Sequence, residues 1–311
     1  MSLDMVDLLT NAMLGIIVAA TPYMLAATGE LVVERSGVLN LGVEGMMIVG
    51  AVTSYIVAFS TGSLVLGVLV GILAGAFLSL CFAFWTQTLL TNQVATGLAV
   101  TLAGIGIAGL AGRNFVGTTI SPIPQLYIPY LSDIPLIGKV LFGLDPIAYF
   151  SFILIFLVIW FLWKTRAGLI LRAVGDSHDS AHALGYPVVK IRYMAILFGG
   201  ACAGLAGTYL TLVHTAFWAP GMTAQRGWTA LALVVFASWL PWRVVLGAYL
   251  FGTVGYMQLF SQGMGVPIPS QFLSSLPYLM TIVVLVLISR DQFRAKANTP
   301  ASLGKVFKPD L

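Results

Sequence analysis

The chain is short of charge. Of its 311 residues, 8% are Asp, Glu, Lys or Arg, where a soluble domain carries about 25%. None falls between Gly45 and Gly112, and none between Val244 and Ser289. Tracts of that length leave too little to build the polar face that a helix needs in water, which excludes the core of one soluble domain. Cysteine is scarce as well. Cys81 and Cys202 both lie in apolar stretches, so neither a disulfide framework nor a thiolate metal site is expected. The chain has three histidines, and no His, Cys and carboxylate side chains stand at metal-ligand spacing. No reactive cluster for catalysis is visible. No glycine-rich loop runs into Lys and Ser or Thr, so the chain is not expected to bind or hydrolyse ATP itself. The net charge of +4 is no nucleic-acid signature, because the basic residues flank apolar segments. The first of them is Arg35, so the opening apolar stretch lacks the basic leader of a cleaved signal peptide and reads as a retained helix.

What the chain has instead is a series of apolar segments near the length a bilayer crossing needs, about 20 residues. They lie at 9–29, 38–59, 64–86, 94–112, 147–163, 193–213, 228–240, 244–260 and 272–289. The expected fold is all-α, a polytopic membrane protein with eight to ten transmembrane helices. The segment at 228–240 is too short to cross a hydrocarbon core of about 30 Å alone. It is expected to be broken or re-entrant, which a membrane tolerates only inside protein or along a cavity. The 33 glycines suit helices that pack backbone to backbone. Residues 1–290 read as one membrane domain and 291–311 as a tail.

Basic residues orient the set. Lys164, Arg166, Arg172, Lys190 and Arg192 gather in the loop 164–192, and Arg290, Arg294, Lys296, Lys305 and Lys308 in the tail. The positive-inside rule assigns both to the cytoplasm. Four segments separate them, an even number, so the two assignments agree. Counting back puts the N-terminus and the proline-rich loop 113–145 outside.

The loop 164–192 is the one sizeable hydrophilic stretch between segments. Asp176 or Ser177 can cap a short helix. Gly185 can end it and Pro187 prevents its continuation. Ala181 and Leu184 then form an apolar knob on the cytoplasmic face. The loop is either an ordinary connection or a seat for a cytoplasmic partner.

Arg-Ala-Val-Gly-Asp at 172–176, Ala181 to Leu184 with Gly185, Tyr186 and Pro187, and Lys-Ile-Arg at 190–192 resemble the coupling segment of ABC-importer permeases. The family is that of the branched-chain amino acid and ribose permeases. Three further stretches resemble its nucleoside and simple-sugar branch: Glu-Arg-Ser-Gly-Val-Leu-Asn-Leu-Gly-Val-Glu-Gly-Met-Met at 34–47, Arg-Gly-Trp-Thr-Ala-Leu-Ala at 226–232, and Leu-Pro-Tyr-Leu-Met-Thr at 276–281. The resemblance runs from Glu30 to Arg290. The coupling segment of the family usually reads Gly-Glu-Asn-Pro, where this chain has Gly175-Asp176-Ser177-His178, which leaves the helix start open. A Gly-Lys-Trp-like turn is here Ala237-Ser238-Trp239.

The resemblance implies a type II ABC-importer permease, one half of a dimer with an identical or paralogous second permease. It implies cytoplasmic ATPases that bind ATP and Mg and dock on Arg172, Gly175, Asp176, Ala181, Leu184 and Gly185. It implies an extracytoplasmic solute-binding protein, a place in the bacterial cytoplasmic membrane, and nucleosides or simple sugars as solutes. Branched-chain amino acids and an ion-coupled carrier are the alternatives.

Polar residues inside a bilayer are functional candidates. Asn40 and Glu44 are four apart and are expected on one helix face. They form either a polar wall of the path or a buried pair locking helices together. Glu30, Glu34 and Arg35 are expected at the interface, as are Trp239, Trp242 and Arg243. Asn92 and Gln93, with Thr91 and Thr96, make an uncharged patch able to hydrogen-bond ribose or a base edge, or else a plain turn. Gln225, Arg226 and Trp228 open the short segment, and Trp228 can stack on a ring or sit in an interface belt.

Overall fold

The structure, a computed structural model, describes residues 3–132, 134, 137–263, 272, 275–276, 279–283, 286 and 298–308. Among the described residues, seven helices are long and apolar enough to cross a membrane. The first five named here are α1 (Leu3–Arg35), α2 (Val43–Thr61), α3 (Leu64–Ala83, prolonged by a wide turn to Thr88), α4 (Gln93–Ala111) and α6 (Pro146–Lys164). The other two are α9 (Val188–Tyr209, prolonged to His214) and α11 (Pro241–Gly263). Between them stand four shorter helices, α5 (Ile137–Phe142), α7 (Arg166–Asp176), α8 (His178–Ala183) and α10 (Arg226–Phe236). Half of the expected helix at 272–289 lies outside the described residues, and those of it that are described are helical.

Burial sorts the helices into two shells. α1, α2 and α9 are mostly enclosed, while α3, α4, α6 and α11 keep most of their surface outward. That outer surface is apolar: Leu73 and Phe77 on α3, Leu102 and Leu110 on α4, and Phe156 and Trp160 on α6 are all exposed. Such a skin suits lipid tails and not water.

The inner contacts depend on small residues. α9 packs against α1, α2 and α3. A methyl group added at Gly50 would stand 2.5 Å from the Gly204 Cα, and one at Gly75 would stand 2.7 Å from it. Side chains at these points would force the helices apart, so glycine sets the spacing. Hydroxyl bonds tie the same interface: Ser54 Oγ and Thr211 Oγ1 are 3.1 Å apart, and Thr211 donates to the Ala51 carbonyl at 3.2 Å. Outside this cluster, the buried Asp145 caps α6 through the Ala148 N–H at 2.9 Å and accepts from the Tyr209 hydroxyl at 2.9 Å.

Several expectations change. The second helix starts at Val43, five residues later than the apolar run, because residues 36–42 form a turn through Gly37, whose φ is +87°. Asn40 therefore precedes the helix and shares no helix face with Glu44. Glu30, Glu34 and Arg35 are buried instead of interfacial. Arg35 donates to the Trp239 carbonyl at 3.2 and 2.8 Å and to the Asn298 carbonyl at 3.2 Å. Trp239 is likewise buried, its indole N–H donating to Glu34, whereas Trp242 is exposed. The short seventh segment is an interrupted one. Residues 215–225 run without helix from the end of α9, and 11 residues of α10 follow.

Candidate functional site

The interruption before α10 is held by one carboxylate. Glu44, in the first turn of α2, accepts hydrogen bonds from the Thr223 hydroxyl, from the Gln225 N–H at 3.1 Å and from the Gly227 N–H at 2.7 Å. It thereby caps α10 from another helix, supplying the acceptor that a local Ser, Thr or Asp would give and a negative charge where the helix dipole favours one. The backbone here needs that support. Ala224 and Gln225 have φ of 47° and 64°, a left-handed region that costs non-glycine residues energy and is held only when the surroundings fix it. Gly227 fits because a methyl there would lie 2.6 Å from the Glu44 Cα.

Around this buried cap lies an open face. Ala224, Gln225 and Trp228 are exposed, and the Trp228 indole donates to the Leu41 carbonyl at 3.2 Å. The bond anchors the ring, which remains partly exposed. The exposed surface so formed sets an indole beside an amide, and the neighbouring Glu44 already receives three donors. Arg226 turns back to the Met222 carbonyl at 3.1 Å.

Asn40 lies behind this face, fully buried. Its Oδ1 accepts from the Gly42 N–H at 2.9 Å, which shapes the turn into α2. Gln93 is buried as well. Its Oε1 accepts from the Leu39 N–H at 2.8 Å and its amide donates to the Lys305 carbonyl at 3.5 Å. Asn92 is exposed and caps α4 through the Ala95 N–H at 3.0 Å. The structure thus brings Glu44, Gln225 and Trp228 together. It puts Asn40 and Gln93 in the supporting turn and leaves Asn92 at the start of α4.

At the end of α6, Thr165 caps the amphipathic α7, and Ser177 caps α8 by accepting from the Ser180 N–H at 3.3 Å. The C-terminus of α8 closes by paired bonds, Tyr186 N–H to the Ala181 carbonyl at 3.1 Å and Gly185 N–H to the His182 carbonyl at 2.8 Å, with Gly185 at φ +87°. That is the glycine-dependent Schellman stop. Leu184 is left 77% exposed. Ala181 is a correction: it is 3% exposed and packs inward on Val174, Val188 and Phe307. Of the two expected knob residues only Leu184 faces outward, because α8 presents Ala181 to the body of the protein. Gly175 is buried against the Arg35 carbonyl and Gly37. Asp176 is exposed, and the Arg172 guanidinium sits 5.4 Å over the Trp163 ring.

Sequence reasoning missed Arg192. It is completely buried and donates to the Ser36 carbonyl at 3.3 Å, the Lys305 carbonyl at 3.2 Å and Gln87 Oε1 at 3.5 Å, and it meets His178 Nδ1 at 3.3 Å. The one available signal was a cation at the head of an apolar run. The chain residues 298–308 were missed too, because nothing local in a basic tail says that it folds back. Arg192 can only donate, so His178 Nδ1 accepts and the ring proton sits on Nε2, 3.4 Å from Asp179 Oδ1. Burial first, then Arg192, lower the His178 pKa from its ordinary value. Among the described residues, no three His, Cys, Asp or Glu side chains converge as metal ligands.

These features define a polytopic α-helical membrane protein with an interrupted helix at an open face and a capped, exposed helix at one end. The chain belongs to the branched-chain amino acid transport system permease component family, whose model matches residues 12–288. It is 41% identical over 289 residues, 86% of its length and 88% of the relative's, to a putative glucose ABC transporter permease protein, TsgC13, of Haloferax volcanii. It is 30% identical to the guanosine ABC transporter permease protein NupQ of Bacillus subtilis, across 97% of this chain and 98% of that one. The nucleoside ABC transporter permease protein NupC of Lactococcus lactis is also 30% identical, with the same coverage. The chain is an ABC transporter permease, a transport subunit of the membrane that associates with ATPase and substrate-binding components.

Proposed function

We infer that the chain is the membrane-spanning half of an ATP-driven importer for a neutral, hydroxyl-bearing solute, a nucleoside in the first place. The observation that carries the reading is the open face at the start of α10. There Trp228 offers a ring to stack on and Gln225 an adjacent polar group, while the Glu44 carboxylate is taken up by three donors. A zwitterionic amino acid would need charged partners; a nucleoside needs a stacking surface and amides. The two relatives named for guanosine and nucleosides support it. Simple sugars are the second reading, favoured by the 41% identity to a putative glucose permease.

In this account Gln225 and Trp228 touch solute, Asn40, Glu44 and Gln93 hold the face in place, and Asn92 contributes at the inner end of α4. ATP and Mg belong to cytoplasmic ATPase partners, which seat on the 172–192 loop around Leu184. An extracytoplasmic binding protein delivers solute, and a second permease, identical or paralogous, completes the path in the cytoplasmic membrane. The test is uptake of labelled guanosine into cells expressing the assembled importer, competed by unlabelled guanosine, glucose or leucine. Competition by guanosine supports the reading. Competition by glucose with none by guanosine shifts it to sugars, and competition by leucine alone overturns it.

A further inference from the structure

Residues 298–308 are built into the body of the molecule. The Ser302 N–H donates to the Gly175 carbonyl at 2.9 Å. The Ser302 hydroxyl donates to the Asp176 carbonyl at 3.3 Å and accepts from the His178 N–H at 3.4 Å. His178 is the first residue of α8, so the tail satisfies one of the donors that a helix N-terminus leaves open. Phe307 is buried, with the rings of His178 and His182 each 5.3 Å away at steep angles. The inner face of α8 therefore rests on the tail.

The same eleven residues reach the membrane helices. The Gly304 N–H donates to the Gly37 carbonyl at 3.1 Å. The Lys305 carbonyl receives Arg192 from α9 at 3.2 Å and Gln93 from α4 at 3.5 Å. Gln93 holds Leu39, and Leu41 in the same turn accepts from Trp228. Two residues beyond Leu41, α2 opens at Val43, and its next residue, Glu44, caps α10. An unbroken run of contacts thus joins α8 to the open face of α10, and the tail is its first link.

We propose that residues 298–308 are a strap that positions α8 and carries its displacement into the 36–42 turn, with Phe307 and Ser302 as the positioning residues. The proposal rests on the reading of α8 as the seat of the ATPase. A strap differs from a simple brace in what it controls: ATP hydrolysis continues when it is loosened, but less of it is converted into transport.

The experiment uses the assembled importer in proteoliposomes, with labelled guanosine and glucose as probes, and measures solute moved per ATP hydrolysed. Phe307→Ala is expected to keep the ATPase bound and hydrolysing while transport per ATP falls by about 2- to 30-fold, the range found for residues along coupling networks. Phe307→Tyr, which keeps a ring between the histidines, is expected to restore it. Ser302→Ala gives a second reading if Phe307→Ala assembles poorly, with a smaller fall in the same direction. An unchanged ratio in the assembled variants would overturn the proposal. Leu184→Asp separates this from the underlying reading: if it leaves ATPase association intact, α8 is not the seat, whatever the tail variants do.

Discussion

Glu44 shows how much one side chain decides in this fold. Its two oxygens serve three donors from residues 223, 225 and 227. Exchanging one oxygen for an amide N–H₂ turns an acceptor toward groups that can only donate. Glu44→Gln is therefore expected to cost about 1–3 kcal/mol, the penalty for leaving buried donors unmatched, read as a lower unfolding temperature in detergent. Transport per assembled complex should fall with it, because the Ala224–Gln225 backbone is held by the same bonds. Normal transport per complex would detach the cap from the path. Glu44 was visible in the sequence as a lone carboxylate at the head of an apolar tract. Its partners were not, since they lie about 180 residues away in a stretch with no helical period. Glu30, Glu34 and Arg35 were misjudged for a related reason. Charges at the end of an apolar run look alike in sequence whether water or protein meets them; here all three are buried, with Trp239 against Glu34 and Arg35 and the returning tail against Arg35.

At the scale of elements, α8 was the most legible piece. Ser177 starts it and Gly185 stops it by local chemistry, so its ends could be read directly. The chain's His178, standing where the resembled family has proline, is the first residue of the helix and turns its ring inward to Arg192. What local chemistry could not tell was the rotation of α8 about its axis, which Phe307 fixes from the far end of the chain. That rotation separates two substitutions. Leu184→Asp should weaken ATPase association about tenfold or more, as for an interface anchor, with stability within about 0.5 kcal/mol of the parent. Ala181→Asp should instead destabilise by about 3–5 kcal/mol by burying an unpaired charge. Pull-down with the ATPase, alongside thermal unfolding, distinguishes them.

α8 should also respond to acid. His178 faces Arg192 and Lys305, has Asp179 beside its Nε2 and shares Phe307 with His182. Its pKa is lower in the folded protein than the usual 6.5. A histidine with a depressed folded pKa favours the folded packing above its unfolded value and loses that contribution as pH falls through the folded one. Hydrogen exchange at 177–185 should accelerate as pH drops below about 6.5, after correction for intrinsic rates. His178→Asn should flatten the profile, and an unchanged profile would remove His178 as its source.

At the scale of the molecule, the lengths and apolarity of the helices foretold the bilayer, and the two basic clusters foretold one shared face. The structure brings the described part of the tail into hydrogen-bond contact with the α7–α8 loop, so these two stretches share one end of the molecule. Single cysteines in a background free of Cys81 and Cys202 check the orientation. One at Gly62 should react with an impermeant thiol reagent from outside, and one at Ala183 only after permeabilisation; the reverse pattern would invert the protein.

The central claim is that α8 receives an ATP-driven push and the α10 face passes a neutral solute. Its most direct measurement is uptake of labelled guanosine and of labelled glucose into proteoliposomes holding the assembled importer, with and without ATP, for the parent and Leu184→Asp. The account predicts uptake of one of them that requires ATP and is lost in Leu184→Asp while the permease remains folded. Uptake that proceeds on a proton gradient without ATP, equally in both proteins, would contradict it.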